Sequence, residues 1–162
     1  MAQYCVSGAF LAGQTFANNI ISNQFPPLVE FATTPTDQPV ITELGIGFGI
    51  DASNVSTNFW LGIAPVRGVG GYLVPLVSGA YDAVSAISNL QVYTAWQKPP
   101  TVPAHYLRGF RLPNISGLGI APVVLRLGRG LKLNASQSLV IYGQPGVSGR
   151  PIWGEYWVEF DE

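Results

Sequence analysis

Apolar residues in this chain come in short runs rich in Val, Ile, Tyr, Trp and Phe, most of them closed off by Gly, Pro, Asn or Ser. β-Branched and aromatic side chains suit a pleated, half-buried surface, and the flanking residues suit turns, so each run predicts a strand. From residue 40 the predicted strands are 40–50, 59–63, 72–77, 90–96, 104–112, 123–127, 137–142 and 152–160. No long amphipathic helical pattern is present. One segment, residues 80–90, sets Ala83, Val84, Ala86, Ile87 and Leu90 at roughly helical spacing and predicts a single short helix. About eight antiparallel strands with almost no helix predict an all-β sandwich or barrel.

Alternation within the runs assigns faces, because successive strand side chains point to opposite sides. In 152–160, Ile152, Tyr156, Val158 and Phe160 share one face, and Trp153, Glu155, Trp157 and Glu159 share the other. Two tryptophans on the second face imply that it too is partly covered. In 40–50, Leu44, Ile46, Phe48 and Ile50 oppose Gly45, Gly47 and Gly49. Three glycines on one face predict either close approach of another group or a bend in a strongly coiled strand. The expected core is Leu44, Ile46, Phe48, Leu139, Ile141, Tyr156 and Val158.

The first 38 residues lack a sustained period and contain Pro26-Pro27 and Thr33-Thr34-Pro35-Thr36. They predict an extended N-terminal arm, residues 1–38, ahead of a domain over 39–162. Phe10, Phe16, Phe25 and Phe31 are its candidate docking residues, on the chain's own barrel or on a neighbour. An arm of this kind would serve assembly more than folding. The hexapeptide Leu-Gly-Ile-Ala-Pro-Val occurs at 61–66 and 118–123. Pro65 and Pro122 lack a ladder donor, so both sites favour a strand edge, end or bulge.

Composition sharpens the picture. Charged residues make up only 10% of the 162 and apolar ones 48%, with 19 Gly and 13 Pro. An ordinary soluble domain is roughly a quarter charged. So little charge predicts that a membrane or other subunits cover much of the surface. A membrane-spanning helix needs about 20 unbroken apolar residues, and none is present. Residues 1–29 are uncharged but lack a basic leader, so no signal peptide is expected. The three N-x-S sequons at Asn54, Asn114 and Asn134 fit turn chemistry. Cys5 is the single cysteine, which excludes an intrachain disulfide.

Signals for catalysis are weak. His105 is the only histidine, so one chain cannot build a multi-histidine metal site. No serine sits in a nucleophile-elbow sequence. Gly68-Val69-Gly70-Gly71 lacks the lysine and helix of a phosphate loop. No enzymatic activity, cofactor or metal is therefore expected. Tyr72, Tyr81, Tyr93 and Trp96 are the aromatics that a sugar-binding alternative would use. Charge is distributed unevenly: residues 83–154 contain no acid, yet hold Lys98, Arg108, Arg111, Arg126, Arg129, Lys132 and Arg150. Arg108, Arg111, Arg126, Arg129, Lys132 and Arg150 are candidates for assembly or anionic contacts. The net charge of -1 favours subunit or lipid contacts over sequence-specific nucleic acid.

Residues 129–143, Arg-Gly-Leu-Lys-Leu-Asn-Ala-Ser-Gln-Ser-Leu-Val-Ile-Tyr-Gly, read as a strand, a polar turn and another strand. A Gly/Pro-rich loop over 144–151 and the closing strand 152–160 follow. This pattern resembles the late strands of a viral jelly roll. With the low charge, the N-terminal arm and the eight strands, the chain resembles single jelly-roll capsid proteins, in size and character the small major capsid proteins of membrane-containing icosahedral Thermus bacteriophages. The resemblance implies a structural virion protein, made in the host cytoplasm, with other capsid subunits as partners and an internal membrane surface as a further contact. A phage head decoration protein, or a receptor- or carbohydrate-binding sandwich on a virion appendage, is the alternative. No individual site residue carries over.

Overall fold

In a computed structural model seven of the eight strands predicted from residue 40 onward reappear with shifted ends, while the run expected over 72–77 gives two short strands in different sheets, Tyr72–Leu73 and Val77–Ala80. The structure describes residues 3–12, 27–33, 39–49, 57–73, 77–80, 90–112, 123–143 and 152–161. They contain eleven strands and no helix. The strands are β1 Gln3–Ala12, β2 Pro27–Thr33, β3 Val40–Gly49, β4 Thr57–Ala64, β5 Tyr72–Leu73, β6 Val77–Ala80, β7 Leu90–Thr94, β8 Tyr106–Leu112, β9 Val123–Lys132, β10 Ser138–Gly143 and β11 Ile152–Asp161. Of the helix expected over 80–90, the two ends, Ala80 and Leu90, are strand residues; 81–89 lie outside the described residues.

Two antiparallel sheets result: a five-stranded one in the order β6-β1-β11-β3-β9, and a six-stranded one in the order β5-β7-β2-β10-β4-β8. The pairing is nested. β1 pairs β11, β2 pairs β10, β3 pairs β9 and β4 pairs β8. This is the pattern of a long antiparallel ribbon, first strand against last, second against second-last. Pairing of β11 with β3 and of β10 with β4 then rolls the ribbon into two sheets. The three strands between β4 and β8 are an addition, placed beyond β1 and β2 at the far edges.

The inner faces pack into one core of Tyr4, Val6, Val29, Phe31, Ile41, Leu44, Ile46, Phe59, Leu61, Leu139, Ile141, Tyr156, Val158 and Phe160, among others. All the expected core residues are there except Phe48, whose side chain lies outside the described residues. Phe31 meets Tyr156 edge to face at 5.2 Å, and Tyr4 stacks on Phe160 at 5.5 Å.

The expectation of an N-terminal arm is corrected. β1 lies between β6 and β11, and β2 lies between β7 and β10, so both are interior strands. Every residue of β2 is buried. Phe31, expected to dock an arm, is a core residue of the chain's own sandwich. Phe10 pairs with Gly154 in the β1–β11 ladder, and Phe16 and Phe25 lie outside the described residues. Removing β1 and β2 would expose the ladders and core faces of β11 and β10, so these two strands belong to folding.

Candidate functional site

Each sheet has an outer face, and the two differ in kind. Over the six-stranded sheet lies a strap made of residues 65–71 and 95–103. Its two limbs are tied to each other: Val69 N–H donates to the Lys98 carbonyl at 2.8 Å, and Thr101 N–H to the Val66 carbonyl at 3.0 Å. Pro65 follows the last residue of β4, as its missing donor requires. Beneath the strap, Ala64, Val140 and Tyr142 form a second small core with Trp60, Val102 and Tyr106 against it. This cover explains why β10, like β2, is buried at every position.

Glu30 on β2 holds the strap down. The residue is 1% exposed. Trp96 Nε1–H donates to Oε2 at 2.6 Å, and Gly68 N–H donates to Oε1 at 3.0 Å. A buried carboxylate needs such donors, since desolvation without them costs several kcal/mol. Ala95, just before Trp96, has φ 53°, a left-handed conformation that non-glycine residues rarely adopt. The indole packs so closely on Gly68 that a Cβ there would fall within the ring. Arg67 donates to the Thr33 carbonyl at 3.0 Å and stands over the Tyr93 ring at 5.7 Å. At the other end, Tyr142 O–H donates to the Thr101 carbonyl at 2.9 Å. Burial pushes the Tyr142 phenol far above its ordinary range, with smaller contributions from Tyr106 and Glu30.

The strap's outward side is apolar. Val66 and Val69 on the strap are 55% and 58% exposed, and Leu73 on the adjoining edge strand β5, opposite Tyr93 of the strapped face, is 50% exposed; Tyr72, one residue earlier on β5, points to the other side of the sheet. The strap's charged groups are cationic: exposed Lys98 and half-buried Arg67.

No second strap covers the outer face of the five-stranded sheet among the described residues. Because Tyr156, Val158 and Phe160 point inward, Glu155, Trp157, Glu159 and Asp161 point outward. The Trp157 indole lies flat over Gly45, its partner across the β11–β3 ladder, where a Cβ would overlap the ring. Close approach is thus the reason for a glycine at 45, and the approaching group is intramolecular. Trp157 Nε1–H donates to Glu43 Oε1 at 3.4 Å, and Glu43 Oε2 pairs with Arg126 at 3.3 Å. On the same rung of the sheet, Val124 is 44% exposed.

The basic candidates do not form one patch. Arg126, Arg129 and Lys132 are exposed on β9, an edge of the five-stranded sheet. Between Arg126 and Leu131, four residues of β9 oppose only Thr42, and Gly128 and Gly130 in this bulge have φ of 60° and 83°. The ladder is therefore interrupted at these glycines although the strand continues. Arg108 is exposed on β8, an edge of the other sheet, opposite Leu61; Arg111 on the same strand pairs with Asn58. Arg150 lies outside the described residues. Arg126 meets an acid of its own chain, on β3 rather than at the C-terminus. Of the stacking aromatics, Trp96 is buried, Tyr93 is half-buried beside Arg67, Tyr72 is exposed, and Tyr81 is outside the described residues. They form no common platform among the described residues.

No group of three or more His, Cys, Asp or Glu among the described residues is arranged to hold a metal ion. No helix among them is long and apolar enough to cross a membrane. Compared with protein-family models, curated proteins and solved structures, the chain matches none.

Proposed function

We propose that this chain is a structural subunit of a virus capsid, a single jelly roll that builds its shell through contacts with other subunits. The observation that carries the reading is the nested strand order. Leaving aside the added β5–β7, the sheets run β1-β11-β3-β9 and β2-β10-β4-β8. This order supports a jelly roll, a double-Greek-key fold that viral shells use. Fold alone does not fix function. The surface supplies the second support: a chain with 10% charged residues exposes apolar side chains on its strap and the adjoining edge. Patches of this kind mark contacts with other proteins. The cationic β9 edge with Arg126, Arg129 and Lys132 is a further contact, facing a neighbouring subunit or the anionic surface of an internal membrane.

The test is the size of the native assembly. Sedimentation of the purified protein over a wide concentration range, and mass measurement of the particle it comes from, should find large closed assemblies. A chain that stays monomeric throughout, and is absent from any particle, overturns the reading. Tight, salt-sensitive binding to duplex DNA in preference to anionic vesicles would also overturn it.

A further inference from the structure

We infer that the strap of one copy docks on the outer face of the five-stranded sheet of the next copy, in a head-to-tail contact. This rests on the shell reading and names the surfaces that make the shell. The two surfaces match in chemistry. Val66 and Val69 on the strap and Leu73 on the adjoining edge strand β5 are exposed, Lys98 stands beside Val69, and no acidic residue occurs in 65–73 or 95–103. On the opposite sheet, Trp157 and Val124 form the apolar centre. Among the described charged residues of β11 and β3, those that flank that centre are acidic: Glu155 on one side, Glu159 and the Arg126-paired Glu43 on the other. The cations of that face, Arg126 and Lys132, are confined to the β9 edge.

An apolar centre with a cationic rim therefore faces an apolar centre with an acidic rim. Complementary charge of this kind fixes register and suppresses wrong pairings. The two surfaces are on opposite sides of the sandwich, so one copy cannot satisfy both with a single partner. A contact between unlike surfaces repeats, giving rings or extended lattices rather than a closed two-fold dimer. Sheet strands under the Trp157 face and the Glu30-anchored strap make both surfaces rigid before they meet, which lowers the ordering cost of association.

Charge reversal on exposed side chains tests the contact without disturbing the core. Lys98→Glu and Glu155→Lys, each in the full chain, should fold normally and weaken self-association by about tenfold or more, since like charges then face each other. Mixing the two variants in equal amounts should restore association, because Glu at 98 of one copy meets Lys at 155 of the next. The double variant should associate by itself. Self-association of the natural chain that ignores both substitutions overturns this contact and leaves the shell reading standing. Sensitivity to Lys98→Glu alone, with no rescue on mixing, points to a strap-on-strap contact and also overturns it. A natural chain that does not self-associate at any concentration overturns both.

Discussion

Two glutamates in this molecule accept a hydrogen bond from a tryptophan indole, and the surroundings make them different devices. Glu30 takes the Trp96 N–H at 2.6 Å beneath the strap, with its own residue 1% exposed. Glu43 takes the Trp157 N–H at 3.4 Å on an open sheet face and shares its carboxylate with Arg126, whose side chain is 86% exposed. The first pair joins a loop to a sheet. The second joins neighbouring strands that the backbone ladder already holds. A hydrogen bond matters most where water cannot replace it, so the buried pair should govern stability and the open one should hardly register.

Truncating the two indoles gives the largest contrast. Trp96→Ala should cost about 3–5 kcal/mol, as for other buried aromatics, because it empties the space between strap and sheet and strips Glu30 of a donor. Trp157→Ala should cost only about 1 kcal/mol, since its ring is half-buried on one side of a sheet. Urea unfolding of both variants measures this. Equal losses would break the comparison.

Removing the carboxylates comes next. Glu30→Ala orphans the Trp96 and Gly68 N–H groups and should cost about 2–3 kcal/mol, while Glu30→Gln, which keeps an acceptor, should lose less. Glu43→Ala leaves groups that water can reach and should cost under about 1 kcal/mol. Hydrogen exchange of the Val69 and Thr101 amides sharpens the point: both should speed up in Glu30→Ala and stay unchanged in Glu43→Ala.

How much of this could be read from the chain follows from which faces are covered. From Val40 onward the short apolar runs, many of them alternating, mark strands where β3, β4, β7, β8, β9, β10 and β11 lie. The added strands β5 and β6 fall within and just beyond the single run expected over 72–77. β2 did not stand out because it is buried on both sides. Phe31 faces the sandwich core and Glu30 lies under the strap, so period 2 vanishes, and Pro26-Pro27 before it mimics a loop. β1 is uncharged but holds Ser7 and Gly8 between its apolar residues, which dilutes the strand signal. The strap was invisible for another reason. Its glycines at 68, 70 and 71 look like a loop without a partner, and the partners, Trp96 for Gly68 and Gly71 and Gln97 for Gly70, arrive from a distant segment. A lone glutamate among apolar residues at Val29-Glu30-Phe31 was the available signal for a buried carboxylate. The acid-free stretch from 83 to 154 did signal a cationic surface, but sheet order sends its members to different edges.

Alkaline titration places the sandwich core beside the strap. Burial raises the Tyr156 phenol from 10.0 to about 12, and its hydroxyl finds no hydrogen-bond partner among the described residues. Below pH 10 the phenol is neutral in both states, so it makes no pH-dependent contribution. Between about pH 10 and 12 the unfolded chain loses the proton while the folded chain keeps it, so stability falls as pH rises. The loss should reach at most roughly 3 kcal/mol, two units of pKa at 1.36 kcal/mol each. Tyr156→Phe should remove that part of the decline, and with no bonded hydroxyl to lose it should cost little at neutral pH. Tyr142→Phe should likewise flatten the alkaline limb, but it gives up the bond to Thr101 and so should also lower stability at pH 7. An unchanged alkaline limb in both variants would place the titration elsewhere.

The smallest effect belongs to the open pair itself. Arg126 is 86% exposed and meets Glu43 through a single Nε contact at 3.3 Å, so the guanidinium gives up little water and gains little. Its extended side chain also loses freedom when held there. Exposed pairs of this geometry contribute about 0.2–1 kcal/mol, and Arg126→Ala should lie at the low end. At 1 M salt the screening length is about 3 Å, shorter than the pair's own reach, so even that difference should vanish. Chemical denaturation with urea in low and high salt measures it without adding charge from the denaturant. A loss above about 1 kcal/mol that survives high salt would mean that Arg126 works through packing of its stem on Trp157 or β3. In that case the open face would be as tightly built as the strapped one.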